Sequence, residues 1–104
     1  MWVITEKRLR DFYRKHPNSK VAILAWRKLM KRGRFKDFNA LKRVFASADY
    51  TKGLVVFDIG GNNYRIVADV VYKKGRVYIK KVLTHSEYDK WNKRRSNNDS
   101  KINA

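Results

Sequence analysis

The spacing of hydrophobic residues changes near residue 50, and this change constrains the fold more than any other feature of the sequence. Before it, residues 6–16 and 20–32 place apolar side chains at the spacing of amphipathic helices. After it, residues 54–59, 63–72 and 76–83 have the alternating or continuous apolar pattern of strands. Helices followed by a run of strands predict an α+β fold.

Short turn sequences indicate how the strands are connected. "GGN" at residues 60–62 supplies the positive φ angles of a tight hairpin, and "KKG" at residues 73–75 is a second turn. We therefore predict a three-stranded antiparallel meander, joined by a strand at residues 2–4. The two N-terminal helices pack on one face of this small twisted sheet, and a short C-terminal helix follows it.

Residues that cap helices indicate where the predicted helices begin. Thr5 precedes the first helix, and Asn18 or Ser19 precedes the second. A short third helix is predicted at residues 37–45, with Asp37 as its cap. The two long helices, separated by "PNS", are predicted to form an antiparallel hairpin.

A single domain accounts for the patterned part of the chain. Its length of 104 residues leaves little room for a second core. We assign residues 1–91 to this domain. Residues 92–104 are polar and basic, and we predict that they form a flexible tail.

The net charge indicates the kind of partner. The chain has 26 Lys and Arg against 9 Asp and Glu, a formal net charge of +17. Such a surface repels itself and favours a polyanion as partner, with RNA, DNA or an acidic protein as the candidates. The basic residues are spread along the chain, which argues against a membrane partner. A solvated surface without a target is the plain alternative.

Several classes of protein are excluded by what the sequence lacks. It contains no cysteine, so it has neither disulfides nor thiolate metal sites. No run reaches the ~20 apolar residues of a membrane span. The start, "MWVITEKRLR", does not have the pattern of a secretory signal. We expect a cytoplasmic protein.

The stretch "THSEYDKW" at residues 84–91 contains a capping box. Thr84 and Glu87 have the T-x-x-E spacing in which each side chain bonds the other's backbone amide at a helix N-terminus. This accounts for both residues without any chemistry. On the simplest interpretation the stretch is only the capped start of a helix.

Three further residues of this stretch fall on one face of the predicted helix. His85, Tyr88 and Asp89 are at positions i, i+3 and i+4, and Arg65 projects from the neighbouring strand. The first turn favours a neutral imidazole because the helix dipole disfavours imidazolium. A base, an acid and cations are what RNA cleavage through its own 2′-hydroxyl requires, without a metal or another cofactor. We predict these four residues as the catalytic set.

Other residues could also be assigned to function, but simpler interpretations account for them. His16 closes the apolar stripe of the first helix and interacts there with the helix C-terminus. The "GGNN" stretch lacks the spacing of a P-loop and is better explained as a hairpin. Phe57, Tyr64 and Tyr78 could stack bases, but we expect them in the core or half-buried in the sheet.

Three stretches, in this order and spacing, carry a resemblance to a known family. They are "LKRVFASADY", "VVFDIGGNNYRIVADVVY" and "YIKKVLTHSEYDKW". Together they resemble the HigB family of RelE-like toxins from type II toxin–antitoxin systems, over roughly residues 2–91. The "F-D-I-G-G-N-x-Y-R" and "T-H-x-E-Y-D" blocks are the specific parts of the match.

The resemblance implies a RelE/ParE-like fold and a function. The activity would be cleavage of mRNA, usually on translating ribosomes, without a metal cofactor. A cognate HigA-like antitoxin would neutralise the toxin, and their complex would bind operator DNA. The basic surface would contact ribosomal RNA, the message and the antitoxin. The residues we expect to bind RNA are Arg76, Lys80, Lys81, Lys42, Arg43 and Lys90.

The resemblance leaves the chemistry and the target open. The matching blocks make His85, Tyr88 and Asp89 candidates with Arg65 as phosphate clamp, whereas RelE itself works without a histidine. By that analogy Lys80, Lys81 and Tyr88 would carry the reaction. A ParE-like toxin acting on DNA gyrase and a non-catalytic RNA-binding or ribosome-binding module are the alternative functions. "GGNN" matches the turn of the family and shapes the hairpin.

Overall fold

A computed structural model describes the backbone of residues 1–103 and the side chains of residues 1–94. The elements in chain order are β1 (Trp2–Ile4), α1 (Glu6–Lys15), α2 (Lys20–Arg32), α3 (Phe38–Val44), β2 (Asp49–Thr51), β3 (Leu54–Ile59), β4 (Tyr64–Val71), β5 (Arg76–Thr84) and α4 (His85–Asn103). Short 3-10 turns at Pro17–Ser19 and Tyr72–Lys74 complete the order. The α+β prediction is confirmed.

The five strands form one mixed sheet in the order β1-β5-β4-β3-β2. Strands β3, β4 and β5 form the predicted antiparallel meander, and β2, which was not predicted, pairs antiparallel with β3. Strand β1 joins the sheet as predicted, but it pairs with β5 in parallel. The sheet is therefore not antiparallel throughout, because the chain passes from β1 through the helices before it returns to this edge.

The helices and one face of the sheet enclose the core. Trp26 of α2 packs edge-on against Phe57 of β3, with ring centroids 5.2 Å apart. Phe45, just after α3, packs on the other side of Phe57 at 5.1 Å. The Tyr64 ring packs edge-on against Phe12 of α1. Phe57 and Tyr64 are thus core residues, as expected, while Tyr78 is half-buried on the other face.

The caps at the helix N-termini follow the prediction only in part. Asp37 has an extended backbone and accepts a hydrogen bond from the Ala40 amide, as predicted. Thr5 and Ser19 occupy the N-cap positions of α1 and α2, but neither side chain caps its helix. Thr5 is left-handed at φ 70° and Ser19 is helical, whereas a capping side chain needs an extended backbone. Those two predictions are wrong.

The second face of the sheet, opposite to α1 and α2, positions the candidate site. On β4 the side chains of Arg65, Val67 and Asp69 alternate with the core residues Ile66 and Ala68. Helix α4 starts directly after β5 and packs on β4 and β5. The register between these strands shifts so that Val67 faces Lys81 while Ala68 faces Ile79. Lys80 is therefore the extra residue of a bulge.

The C-terminal helix is longer than the short helix predicted, since α4 runs to Asn103. The flexible tail predicted for residues 92–104 lies largely outside the residues whose side chains are described, and it stays a prediction. Within the described part of the chain, no helix combines the length and the apolar character needed to cross a membrane.

Candidate active site

Arg65 is the fixed centre of the candidate site. Its Nε lies 2.8 Å from Oδ1 of Asp58, and its Nη1 donates to the carbonyl oxygens of Asn62 at 2.8 Å and Tyr64 at 3.1 Å. The whole residue is only 8% exposed. Its Nη2 lies 3.5 Å from Nδ1 of His85. Arg65 therefore presents a preoriented positive charge.

The hairpin between β3 and β4 explains how Arg65 is held. The turn uses positive φ angles at Gly60, Gly61 and Asn62, which confirms the role predicted for "GGN". A Cβ at Gly60 would lie 2.8 Å from the Tyr64 ring, so glycine is required there on steric grounds too. The four-residue turn sets Asp58 directly opposite Arg65 across the two strands.

His85 is the first residue of α4 and lies between two charged partners. Its backbone amide donates to the carbonyl of Asn63, which ties the helix start to the hairpin. Nδ1 lies 3.5 Å from Nη2 of Arg65 and 3.5 Å from Oδ2 of Asp89. A neutral Nδ1 accepts from Arg65, and a protonated Nδ1 donates to Asp89. The same nitrogen can therefore be stabilised in both protonation states.

The capping box of α4 forms as predicted. The Thr84 amide donates to Glu87 Oε1 at 2.9 Å, and the Glu87 amide donates to Thr84 Oγ1 at 3.2 Å. The hydrogen bond from the Thr84 backbone holds the pKa of Glu87 below its ordinary value of 4.5. The cap fixes the first turn of α4, and with it the direction in which His85 and Asp89 project.

Tyr88 completes the group on the side of α4 that faces the sheet. Its ring lies under the Arg65 guanidinium, with 5.7 Å between the guanidinium carbon and the ring centroid. Trp91 packs beside it at 6.0 Å between ring centroids. The structure thus brings the four residues of the predicted catalytic set together, from β4 and the first two turns of α4.

The residues predicted to bind RNA are more widely distributed. Arg76, Lys80 and Lys81 lie on β5, and Lys90 is exposed on α4. Lys42 and Arg43 lie on α3, where Lys42 donates to the Ala48 carbonyl beside β2. The predicted RNA-binding residues on β5 and α4 therefore lie on elements that adjoin the site. Those on α3 lie near β2, the edge strand on the other side of the sheet.

Asp58 is a functional candidate that the sequence prediction missed. It accepts from Arg65 and is partly buried, with 23% of its side chain exposed. The signal was available in principle, because a four-residue turn between Ile59 and Tyr64 places residues 58 and 65 opposite each other. An acidic and a basic residue at these positions indicate a cross-strand pair.

Within the part of the chain whose side chains are described, His16 and the acidic residues form no second site of the same kind. His16 follows α1 and stacks on Phe12 with ring centroids 4.5 Å apart, while its amide bonds the Phe12 carbonyl. Among the residues with described side chains, no three His, Cys, Asp or Glu converge as metal ligands.

Two helices packed on a small mixed sheet, with arginine, histidine and tyrosine gathered at one end of its second face, form the architecture of a RelE-like toxin. The chain belongs to the HigB toxin family, the RelE-like toxic component of a toxin–antitoxin system, and the match to that family covers residues 19–91.

Curated relatives are similar over most of the chain. The mRNA interferase toxin HigB of Escherichia coli K12 is 41% identical over 92 residues, which are 86% of this chain and 88% of that protein. The mRNA interferase HigB of Escherichia coli O157:H7 is similar to the same extent. The mRNA interferase HigB of Escherichia coli O6:H1 is 29% identical over 93 residues.

Proposed function

We propose that this toxin is an endoribonuclease that cleaves mRNA by metal-independent acid–base chemistry. The observation that carries the proposal is the placement of His85 between Arg65 and Asp89, with Nδ1 within 3.5 Å of both. The names of its relatives, as mRNA interferases, support the same substrate. The formal net charge of +17 supports binding to a polyanion.

The proposed reaction uses the 2′-hydroxyl of the RNA as its nucleophile. The 2′-oxygen forms a bond to the adjacent phosphorus, and the bond from phosphorus to the 5′-oxygen of the next nucleotide breaks. One proton leaves the 2′-hydroxyl and one proton reaches the departing 5′-oxygen, so no water is consumed. The products are a 2′,3′-cyclic phosphate and a 5′-hydroxyl end.

Each residue of the group has a proposed role in this step. His85 transfers a proton, and Asp89 holds its ring when it is charged. Arg65 stabilises the charge that develops on the phosphorane, because its orientation is fixed before the substrate arrives. Tyr88 donates a hydrogen bond or the second proton, beside the guanidinium that it contacts.

We further propose that cleavage takes place on translating ribosomes and that an acidic antitoxin neutralises the toxin. The basic residues on β5 and α4 are the proposed contacts to ribosomal RNA and to the message. The complex with the antitoxin is proposed to bind operator DNA. The cytoplasm is the proposed location for all of these partners.

The test is induced expression in cells that lack an antitoxin, with the 5′ ends of a translated message mapped. Wild type should give cuts within the reading frame and growth arrest, and His85→Ala should reduce cutting roughly 10²–10⁴-fold. Arg65→Lys keeps the charge and should also lose most of the activity, because a lysine cannot reproduce the planar fork of donors. Arrest with intact messages would contradict the nuclease proposal and favour a gyrase-type target.

Two control variants separate chemistry from charge and folding. Arg10→Ala removes an exposed positive charge from α1, on the other side of the sheet, and should leave cutting intact. Ser86→Ala changes the exposed neighbour of His85 within the same helical turn and should also leave cutting of the message intact. Thermal unfolding of each purified variant shows whether a loss of cutting reflects the site.

A further inference from the structure

A second group of aromatic and cationic side chains lies on the second face, away from Arg65. Trp2 of β1 is 64% exposed, an unusual state for so large an apolar side chain. Val3 beside it is buried in the core at 3%, so the alternation of the strand turns Trp2 to the opposite face. Nothing in the chemistry of the candidate active site requires Trp2 to be exposed.

The parallel pairing of β1 with β5 builds this group. Trp2 lies beside Arg76, and Ile4 lies beside Tyr78. The Arg76 guanidinium stands 5.6 Å from the Trp2 ring centroid. Lys80 Nζ stands 5.9 Å from the Tyr78 ring centroid. Two aromatic rings thus alternate with two cations along one edge of the face.

This group lies on the same face of the sheet as the candidate active site. Along β4 the side chains of Arg65, Val67, Asp69 and Val71 belong to this face, where Val67 is fully buried, and Val71 pairs with Arg76. The distance from Arg65 to Val71 is six residues of strand, or about 20 Å. Single-stranded RNA would have to span this distance to contact both groups.

The chemistry of the group favours single-stranded RNA over a protein partner. Tryptophan and arginine both stack on nucleobases, and the nearby cations attract the phosphates that connect those bases. Base stacking tolerates any sequence because every base has a flat face. An acidic protein segment would pair with Arg76 and Lys80 and could pack on Trp2, but the alternation of rings and cations matches the alternation of bases and phosphates more closely.

We propose that Trp2 and Arg76, assisted by Tyr78 and Lys80, form a base-stacking subsite for unpaired nucleotides that flank the cleaved bond. This inference depends on the proposed function for the identity of its ligand. It assigns to Trp2 a binding role that does not touch the reacting atoms. Its effect therefore falls on RNA affinity and on the length of RNA that the toxin prefers.

The test measures binding of a 2′-O-methyl RNA octanucleotide, which the toxin cannot cleave, by fluorescence anisotropy. Trp2→Ala should weaken binding about tenfold, and Trp2→Phe should restore most of the loss. Octanucleotides that each lack one base should bind the wild-type protein more weakly when the missing base is one that stacks in the subsite. At that position Trp2→Ala should show no further loss, because the missing base and the missing ring belong to the same contact.

Tyr50→Ala is the matched control. Tyr50 is 61% exposed on the opposite edge strand, β2, so its removal deletes a similar aromatic surface without changing the charge. It should leave binding of the octanucleotide unchanged. Thermal unfolding of both alanine variants shows that the sheet is intact.

The outcomes separate this inference from the proposed function. If Arg65→Ala weakens octanucleotide binding while Trp2→Ala does not, the subsite is wrong and the nuclease proposal stands. If wild type does not bind the octanucleotide, the subsite is also wrong, and cleavage in cells decides the nuclease proposal independently. If Trp2→Ala spares RNA binding but weakens a complex with an acidic antitoxin, the face docks protein instead.

Discussion

Arg65 illustrates how one charged side chain can be almost buried and still serve a site. Asp58 and two backbone carbonyls bind three of its donor positions, which compensates for the removal of the charge from water. The remaining nitrogen faces His85. Because the guanidinium is oriented by the protein before any substrate binds, no reorganisation is needed when charge develops beside it.

Asp58→Asn tests this positioning role. The amide keeps the shape of the side chain but removes the negative charge that holds Nε. We expect kcat to fall roughly 10- to 100-fold with little change in KM, since small misplacements of a catalytic group have effects of this size. The measurement is steady-state cleavage of a reporter RNA by the purified toxin or in a translation extract.

Asp69→Asn is the control for that variant. Asp69 is a half-buried carboxylate on the same strand and the same face, opposite Tyr78. Its loss should not change kcat. An equal fall in both variants would mean that charge on the face, and not the orientation of Arg65, determines the rate.

At the scale of elements, the start of α4 connects stability with the site. The capping box orients the first turn, and the His85 amide anchors that turn to the hairpin through Asn63. The sequence predicted this cap correctly because the T-x-x-E pattern is local. It did not predict the geometry of Thr5 and Ser19: Thr5 joins β1 to α1 in a left-handed conformation, and Ser19 ends the 3-10 turn that runs into α2, where its hydroxyl donates to the His16 carbonyl.

Thr84→Ala should lower the free energy of unfolding by about 1 kcal/mol at neutral pH. The hydrogen bond from Thr84 lowers the pKa of Glu87 in the folded state below 4.5. The stabilisation from Glu87 is therefore fully present above pH 4.5 and is lost as the pH falls through the folded value. This bond to Glu87 is donated by the backbone amide, which alanine keeps, so denaturant unfolding at several pH values should show most of the wild-type acid decline for Thr84→Ala.

Thr84→Ser provides the comparison for this prediction. Its hydroxyl can still accept from the Glu87 amide, so both the stability and its acid decline should stay close to those of wild type. A serine variant as unstable as the alanine variant would show that the methyl group of Thr84, and not the cap, stabilises this junction.

The sheet shows where sequence patterns stop being informative. The long strands were predictable because each carries a run of apolar residues. Strand β2 was not, because its three residues, Asp49–Thr51, are mainly exposed and carry no apolar pattern. The parallel partner of β1 and the bulge at Lys80 depend on contacts between distant segments, which no local pattern records.

At the scale of the whole molecule, the net charge has two opposing consequences. A formal charge of +17 on 104 residues repels itself, so the folded state is stabilised when salt screens it. The same charge attracts RNA and releases counterions on binding, so salt weakens the complex. The composition was sufficient to predict a polyanionic partner, whereas the face that meets it follows only from the fold.

One salt titration should therefore move two properties in opposite directions. Between about 50 and 200 mM salt we expect RNA affinity to fall roughly 100-fold while the melting temperature of the free protein rises. Anisotropy and thermal unfolding in the same buffers measure the two trends. A melting temperature that falls with salt would mean that exposed ion pairs such as Lys7–Asp11 outweigh the self-repulsion.

The pairing of β1 with β5 also determines when the molecule can act. Translation at roughly 5–20 residues per second separates the synthesis of Trp2 from that of Arg76 by roughly 4 to 15 seconds. Arg65 and His85 are likewise made late, and the sheet closes only after they have left the exit tunnel. The growing chain therefore carries no assembled site until the segment from Trp2 to His85 has been synthesised and has left the tunnel.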